Sequence, residues 1–320
     1  MQKNTSTYHI TRQSVPTMYF IGVTTSQSTM TRLFPYWAAI LGLGGARLVG
    51  VDLPLQASKE QYRQSVAQIK YDPLSVGALI TTHKINLFNA AEDMFDEFDP
   101  YAQLCREADC IVKRDGSLVA LSRDPLGSRQ ALQAIPGMRY WSKSDGHVLC
   151  LGAGGVGTAI VVNLLTQADA QDRPRRLIVV NDQQQGLDRL RSIVGQIETS
   201  LEIEYVLNSD PRYNDALLAA LPEGSLVINA TGMGKDRPGS PITDAGRFPR
   251  YAIAWELNYR GELGFLRQAR VQAQERYVQA HDGWDYFVAS WADHIAEIFH
   301  LTISPSQFAQ LAAKAEEMRN

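Results

Sequence analysis

Cysteine is scarce: Cys105, Cys110 and Cys150 are the whole complement of 320 residues, an odd number with no CxxC pair. Neither a disulfide framework nor a thiolate zinc site is indicated, and a reducing compartment is expected. An excess of one charge is also missing. With 31 basic and 34 acidic side chains the formal net charge is −3, which gives no general attraction to nucleic acid or to an anionic membrane surface. No stretch approaches the roughly 18 consecutive apolar residues of a membrane span. The opening "MQKNTSTYHITRQ" is polar where a secretory signal needs an apolar segment, so a cytoplasmic protein is expected. HExxH is absent too. His294, Glu297 and His300, around "HIAEIFH", therefore read as core or interface residues, and no metal is expected.

What is present is alternation. Short apolar runs such as "YFIGVTT", "ARLVGVDLPL" and "VGALITT" are separated by helix-like stretches such as "TRLFPYWAAILGL" and "EQYRQSVAQIK". This is the pattern of βαβ units and of parallel strands covered by helices. A second series starts at "GHVLCLGAGGVGTAIVVNLLTQ" and runs through "RLIVVNDQ", "LEIEYVL" and "SLVINATGMG". Two sheets imply two α/β domains, which suits the length. The expected boundaries are 1–124, 125–257 and a helical remainder, 258–320.

The strongest single motif is "VLCLGAGGVGTA", in which an apolar strand runs straight into Gly152, Ala153, Gly154, Gly155, Val156 and Gly157 and then into a helix-compatible stretch. Glycines allow the tight turn and let backbone N–H groups approach a pyrophosphate, whose charge a helix N-terminus favours. Asn181 and Asp182 end the next strand, where an acidic side chain would accept hydrogen bonds from the adenosine ribose hydroxyls and repel a 2′-phosphate. NAD is thus expected over NADP. The structural alternative is a glycine turn that only packs strand on helix, with Asp182 as a loop cap.

With this order of elements the chain resembles the shikimate dehydrogenase family, over roughly residues 18–300. "TTSQST" is similar to the family's paired-serine loop, with Ser26 and Ser28 on the matching positions. "ALITTHK" matches the segment ending in the family's catalytic lysine, here Lys84 after Thr81, and "LVALSRDPLG" the segment carrying its catalytic aspartate, here Asp124. "VINATGMG", with Thr231, Gly232 and Met233, and "ELNYRGEL", with Tyr259, match two later stretches. The resemblance implies a substrate-binding α/β domain, a Rossmann-type domain holding the nucleotide, and C-terminal helices returning to the first domain. It also makes Lys84 the proton shuttle and Asp124 its partner. The chemistry fits: hydride transfer from a secondary alcohol requires removal of the hydroxyl proton, and a partly buried lysine beside a carboxylate can take it. For an arbitrary lysine the alternative is a solvated strand end. His83, on the other face of that strand, reads as structural.

The departures lie in substrate readout. Where the family has an asparagine and a threonine ahead of the lysine, this chain has Ala78 and Ile80, and Thr82 replaces a proline. Asp109 stands for an asparagine that contacts substrate hydroxyls, Arg123 for a threonine, and Ser290 for a substrate-binding glutamine. A site built to bond a hydroxyl rejects analogues lacking it by roughly 10⁴–10⁵-fold, so losing several such groups should make shikimate a poor substrate. Arg123 either offers a fork for a carboxylate or phosphate, or pairs with a nearby acidic side chain. Ser26 and Ser28 either anchor a substrate carboxylate or cap a helix. Trp255, Trp284 and Trp291 read as packing.

The expected function is an NAD-dependent oxidoreductase interconverting a secondary alcohol and a ketone on a small polar, cyclic, anionic compound other than shikimate. A true shikimate or quinate dehydrogenase, a non-catalytic nucleotide or metabolite sensor, and an imine-type C–N oxidoreductase are the alternatives. The expected partner is the small-molecule substrate, and the terminal helices would suit a homodimer.

Overall fold

In a computed structural model, residues 8–319 are described except 138, 168, 170, 171 and 236. The chain divides into two units, Met1–Arg123 with Val288–Asn320, and Asp124–Phe287. No helix among the described residues is long and apolar enough to cross a membrane.

The first unit is built from β1 (Thr17–Gly22), α1 (Thr29–Ile40), β2 (Arg47–Asp52), α2 (Lys59–Tyr71), β3 (Ser75–Ile80), α3 (Lys84–Ala91), β4 (Glu97–Phe98), α4 (Pro100–Cys105), β5 (Cys110–Arg114) and β6 (Ser117–Leu121). Its sheet has the order β2-β1-β3-β5-β6-β4. β1 pairs in parallel with β2 and β3, whereas β5 runs antiparallel to β3 and β6. The continuous apolar sequence of β1 follows from its place inside a sheet covered on both faces. Ser58 and Gln61 close a capping box that fixes the start of α2. Ile21, Val66, Ile80 and Phe88 lie in one core, each worth about 1.5–3 kcal/mol of burial.

The second unit contains α5 (Asp124–Ala134), β7 (Val148–Leu151), α6 (Gly155–Thr166), β8 (Arg176–Asn181), α7 (Gln184–Val194), β9 (Glu202–Leu207), α8 (Pro211–Ala219), β10 (Leu226–Asn229), β11 (Ile253–Glu256), α9 (Gly264–Val271), α10 (Ala273–Arg276) and β12 (Gln279–His281). Its sheet, in the order β12-β11-β10-β7-β8-β9, is wholly parallel. Counted from β7, this is the doubly wound order 3-2-1-4-5-6, whose direction reverses between β7 and β10. Val148 and Cys150 pack into one core layer, Leu149 and Leu151 into the other, as the period of two in a strand requires.

The second unit extends past the boundary expected at 257. The three residues of β12 pair with β11, and the chain rejoins the first unit at Val288, within α11 (Trp284–Ile298). α12 (Pro305–Glu317) then packs on α1, where the Trp37 indole donates to the Leu311 carbonyl at 3.1 Å. This return of the C-terminal helices to the first unit was expected from the resemblance. All three cysteines are free and buried, and burial pushes the Cys150 thiol up to about 12.

Candidate active site

In the first unit the lysine segment differs from a plain strand end. β3 stops at Ile80, the Thr81 N–H donates to the Ile21 carbonyl at 3.0 Å, and Lys84 opens helix α3. Lys84 is 9% exposed. Next to it runs the segment preceding β5: the Lys84 carbonyl accepts the Ala108 N–H at 3.3 Å, and the Asp109 carbonyl accepts the Ile80 N–H at 2.7 Å. His83 is the residue before the helix rather than a strand residue facing away. Its ring is buried, with Nε2 donating to the Leu53 carbonyl at 3.0 Å and Nδ1 accepting from the Tyr62 hydroxyl at 2.9 Å. Burial holds its pKa below 6.5 against the carbonyls of Leu53 and Gly22, so it is a neutral packing group.

Asp109 is 1% exposed and fully engaged. Both its oxygens accept the Arg123 N–H, at 2.8 and 2.9 Å, and Oδ1 lies 3.3 Å from His294 Nε2. The other ring nitrogen, Nδ1, donates to the Ser290 carbonyl at 2.7 Å, which fixes that proton and leaves Nε2 to serve the carboxylate. Burial alone would raise Asp109, yet the bond and charge of His294 and the charge of Lys84 hold it below 3.8. Burial would likewise lower His294, but Asp109 and Asp293 hold it above 6.5. Both shifts favour the imidazolium–carboxylate form of this buried pair beside the lysine. Ser290 contributes its carbonyl to that pair, and its hydroxyl is 3.5 Å from the same Nδ1.

Arg123 follows the second of its two readings. Its guanidinium grips Asp293 in bidentate fashion, at 2.8 and 2.9 Å, and reaches Glu297 at 3.2 Å. Glu297 also bonds Arg114, and His300 Nε2 donates to the Lys113 carbonyl at 2.7 Å. These contacts fasten α11 to the sheet and give His294, Glu297 and His300 separate partners. Ser28 caps α1 by accepting the Met30 N–H at 3.3 Å, and Ser26 is exposed. Ala78 and Ile80 have no exposed surface and belong to the apolar core.

The second unit carries the glycine loop. Gly152 has φ +111, where a Cβ would meet the Ala230 carbonyl carbon at 2.6 Å, and a Cβ on Gly157 would lie 2.1 Å from the Gly152 oxygen. Only glycine fits this turn. No side chain caps α6, and a Cβ on Gly154 would face open space, which is the cradle a pyrophosphate requires. Gly152, Gly154, Asn181, Asp182, Thr231 and Met233 line a cavity of about 220 Å³ at the β7–β10 reversal. Asn181 shapes it by accepting the Ala153 N–H at 3.0 Å.

Three residues without an assigned role in the sequence reading, Asn229, Glu256 and Asn258, support the Thr231–Met233 loop that lines the same cavity. Asn229 Oδ1 accepts the N–H and hydroxyl of Thr231, at 3.1 and 2.6 Å, and its Nδ2 donates to Glu256 at 2.7 Å. Glu256 also accepts the Asn258 N–H at 2.9 Å, and Asn258 Nδ2 donates to the Met233 carbonyl. Burial pushes the Glu256 carboxyl up to about 7 although these bonds oppose it. Asp124, 4% exposed, opens α5 and accepts the Tyr286 hydroxyl at 3.0 Å. The Tyr259 ring centroid lies 4.2 Å from that of Phe287, the two rings tilted by 33°, beside Trp284.

No family model matches the chain. In sequence it is 29% identical to the NADP(+) shikimate dehydrogenase of Streptococcus thermophilus over 183 residues, 56% of this chain and 59% of that one. It is 28% identical to that of Symbiobacterium thermophilum over 202 residues, 60% of this chain and 64% of that one. The matches thus span less than two thirds of both relatives. A solved shikimate dehydrogenase from Peptoclostridium difficile superposes with a TM-score of 0.70 at 18% identity, covering 95% of this chain and 99% of that one. The fold is that of the shikimate dehydrogenases. A 5-ketofructose reductase of a Gluconobacter strain shares it, with a TM-score of 0.66 at 18% identity over 93% of this chain and 98% of that one. The shikimate dehydrogenase resemblance read from the motifs is thereby supported in sequence and in fold.

Proposed function

We propose that the chain is a nicotinamide-nucleotide-dependent dehydrogenase that interconverts a secondary alcohol and a ketone on a small polar, cyclic, anionic substrate. The observation that carries this reading is the glycine cradle at the β7–β10 reversal of a doubly wound sheet. Gly152, Gly154 and the first turn of α6 would hold the pyrophosphate, Asp182 the adenosine ribose, and Thr231–Met233 the nicotinamide side. A bound nicotinamide would exchange a hydride with the carbinol carbon. Lys84 Nζ takes the hydroxyl proton as the alcohol is oxidised and returns it in the reverse direction, and Asp124 is the second residue assigned to catalysis.

Two observations bear on the substrate. The relatives are named shikimate dehydrogenases, which favours shikimate itself. Against it stand the apolar Ala78 and Ile80 and the internally bonded Asp109 and Arg123, which supply no free polar group where shikimate readout is expected. The side chains favour a substrate other than shikimate, and a 5-ketofructose reductase shares the fold. Shikimate oxidation at saturating NAD+ is expected to be weak or absent; robust turnover would restore shikimate as the substrate.

Asp182 favours NAD over NADP, although the relatives carry NADP in their names. NADH should therefore raise the unfolding temperature more than NADPH at equal concentration. A ligand at 100 times its dissociation constant adds about 2.7 kcal/mol of stability. A larger shift with NADPH would remove the assignment to Asp182.

A further inference from the structure

The cavity holds one cation that the sequence reading did not single out. Among its described lining residues Arg237 is the only basic side chain and Asp182 the only acidic one, and the two are paired, Nη2 to Oδ2, at 2.9 Å. They stand 55 positions apart on different loops. The Arg237 backbone is held by its own loop: its carbonyl accepts the Gly234 N–H at 2.7 Å and its N–H donates to the Gly232 carbonyl at 3.3 Å. The guanidinium is thus carried by the same turn that presents Thr231 and Met233 to the cavity.

This pair changes what Asp182 does to a nucleotide. Alone, its carboxylate accepts the 2′- and 3′-hydroxyls and repels a 2′-phosphate. Paired with Arg237, it presents no net charge, and a guanidinium binds phosphate oxygens through a planar fork. Both side chains are partly exposed, at 55% for Arg237 and 30% for Asp182, so separating them costs less than about tenfold in affinity. We propose that Arg237 is the specificity-determining residue for the 2′ position: it stays on Asp182 when the ribose carries a hydroxyl and moves onto the phosphate when one is present. The site then accepts both nucleotides, with NAD preferred only modestly. This rests on the reading of the cavity as a nicotinamide-nucleotide site.

Calorimetric titration of NAD+ and NADP+ into the wild-type chain, Arg237→Gln and Arg237→Lys tests it without reference to turnover. Wild type should bind the two nucleotides within about tenfold of each other. Arg237→Gln should weaken NADP+ by roughly 10- to 100-fold, the worth of a charge-assisted bond to phosphate, and NAD+ by no more than about threefold. Arg237→Lys should recover part of the NADP+ loss, and raising the salt concentration should weaken NADP+ more than NAD+ in the wild type only. If Arg237→Gln leaves NADP+ unchanged, or weakens both nucleotides equally, the residue is only a brace for its loop and the proposal falls. If wild type binds neither, the nucleotide reading of the cavity falls first and the role of Arg237 with it.

Discussion

Replacing Lys84 by alanine should reduce turnover by about 10²- to 10⁴-fold, the usual contribution of a positioned general acid–base, while NAD+ binds as before. The side chain is buried at the start of α3, so its loss also removes packing. Lys84→Met, which retains the apolar stem, separates the two effects: it should be nearly as stable as wild type and as inactive as the alanine variant. Turnover near the wild-type rate in Lys84→Met would exclude the lysine as the proton carrier. A nucleotide sensor would bind NAD+ in all three forms and turn over in none.

The second large effect concerns stability. His294→Ala leaves the Asp109 carboxylate buried without its cation, and breaking such a pair from one side costs about 3–5 kcal/mol. Thermal unfolding should show it as a fall of many degrees, since 1 kcal/mol corresponds to roughly 2–4 °C in a domain of this size. Removing the stranded charge in His294→Ala/Asp109→Asn should recover part of the loss, and a double-mutant cycle gives the coupling. The pH dependence has a defined sign. Because the folded-state pKa of His294 lies above 6.5, its contribution is complete below that value and is lost as pH rises through the raised one. Asp109, held below 3.8, contributes above that value and loses its share as pH falls through the lowered one. Wild type should weaken at both extremes, and the His294→Ala variant should lack the alkaline decline. A variant as stable as wild type would mean that the pair is not formed.

Features encoded locally were legible in the sequence. The glycine loop was readable because a positive φ at Gly152 and the close approach at Gly157 admit no other residue. The strands were readable because parallel, doubly covered strands are continuous apolar runs. The start of α3 was hidden: in "ALITTHKINLF" apolar residues lie on both sides of the turn, and His83 makes no side-chain cap bond to mark it. The extent of the second unit was hidden because β12 has three residues and is defined by pairing with β11. Long-range side-chain partners were the largest gap. Arg123 finds Asp293 from 170 positions away, Tyr286 finds Asp124 from 162 and Arg237 finds Asp182 from 55, and no periodicity encodes such pairs. The pairing of Asp109 with His294, 185 positions off, is equally unmarked in the sequence.

The central proposal is that the chain uses a nicotinamide nucleotide and Lys84 for alcohol–ketone chemistry on a compound other than shikimate. The most direct test follows the absorbance of reduced nicotinamide while the wild-type chain is offered NAD+ with a panel of hydroxy acids, cyclic polyols and their amino analogues. The expected result is NADH formation with at least one cyclic hydroxy acid or polyol that exceeds the rate with shikimate. NAD+ binding with no reduction by any member of the panel, or shikimate as the best substrate, would contradict the account.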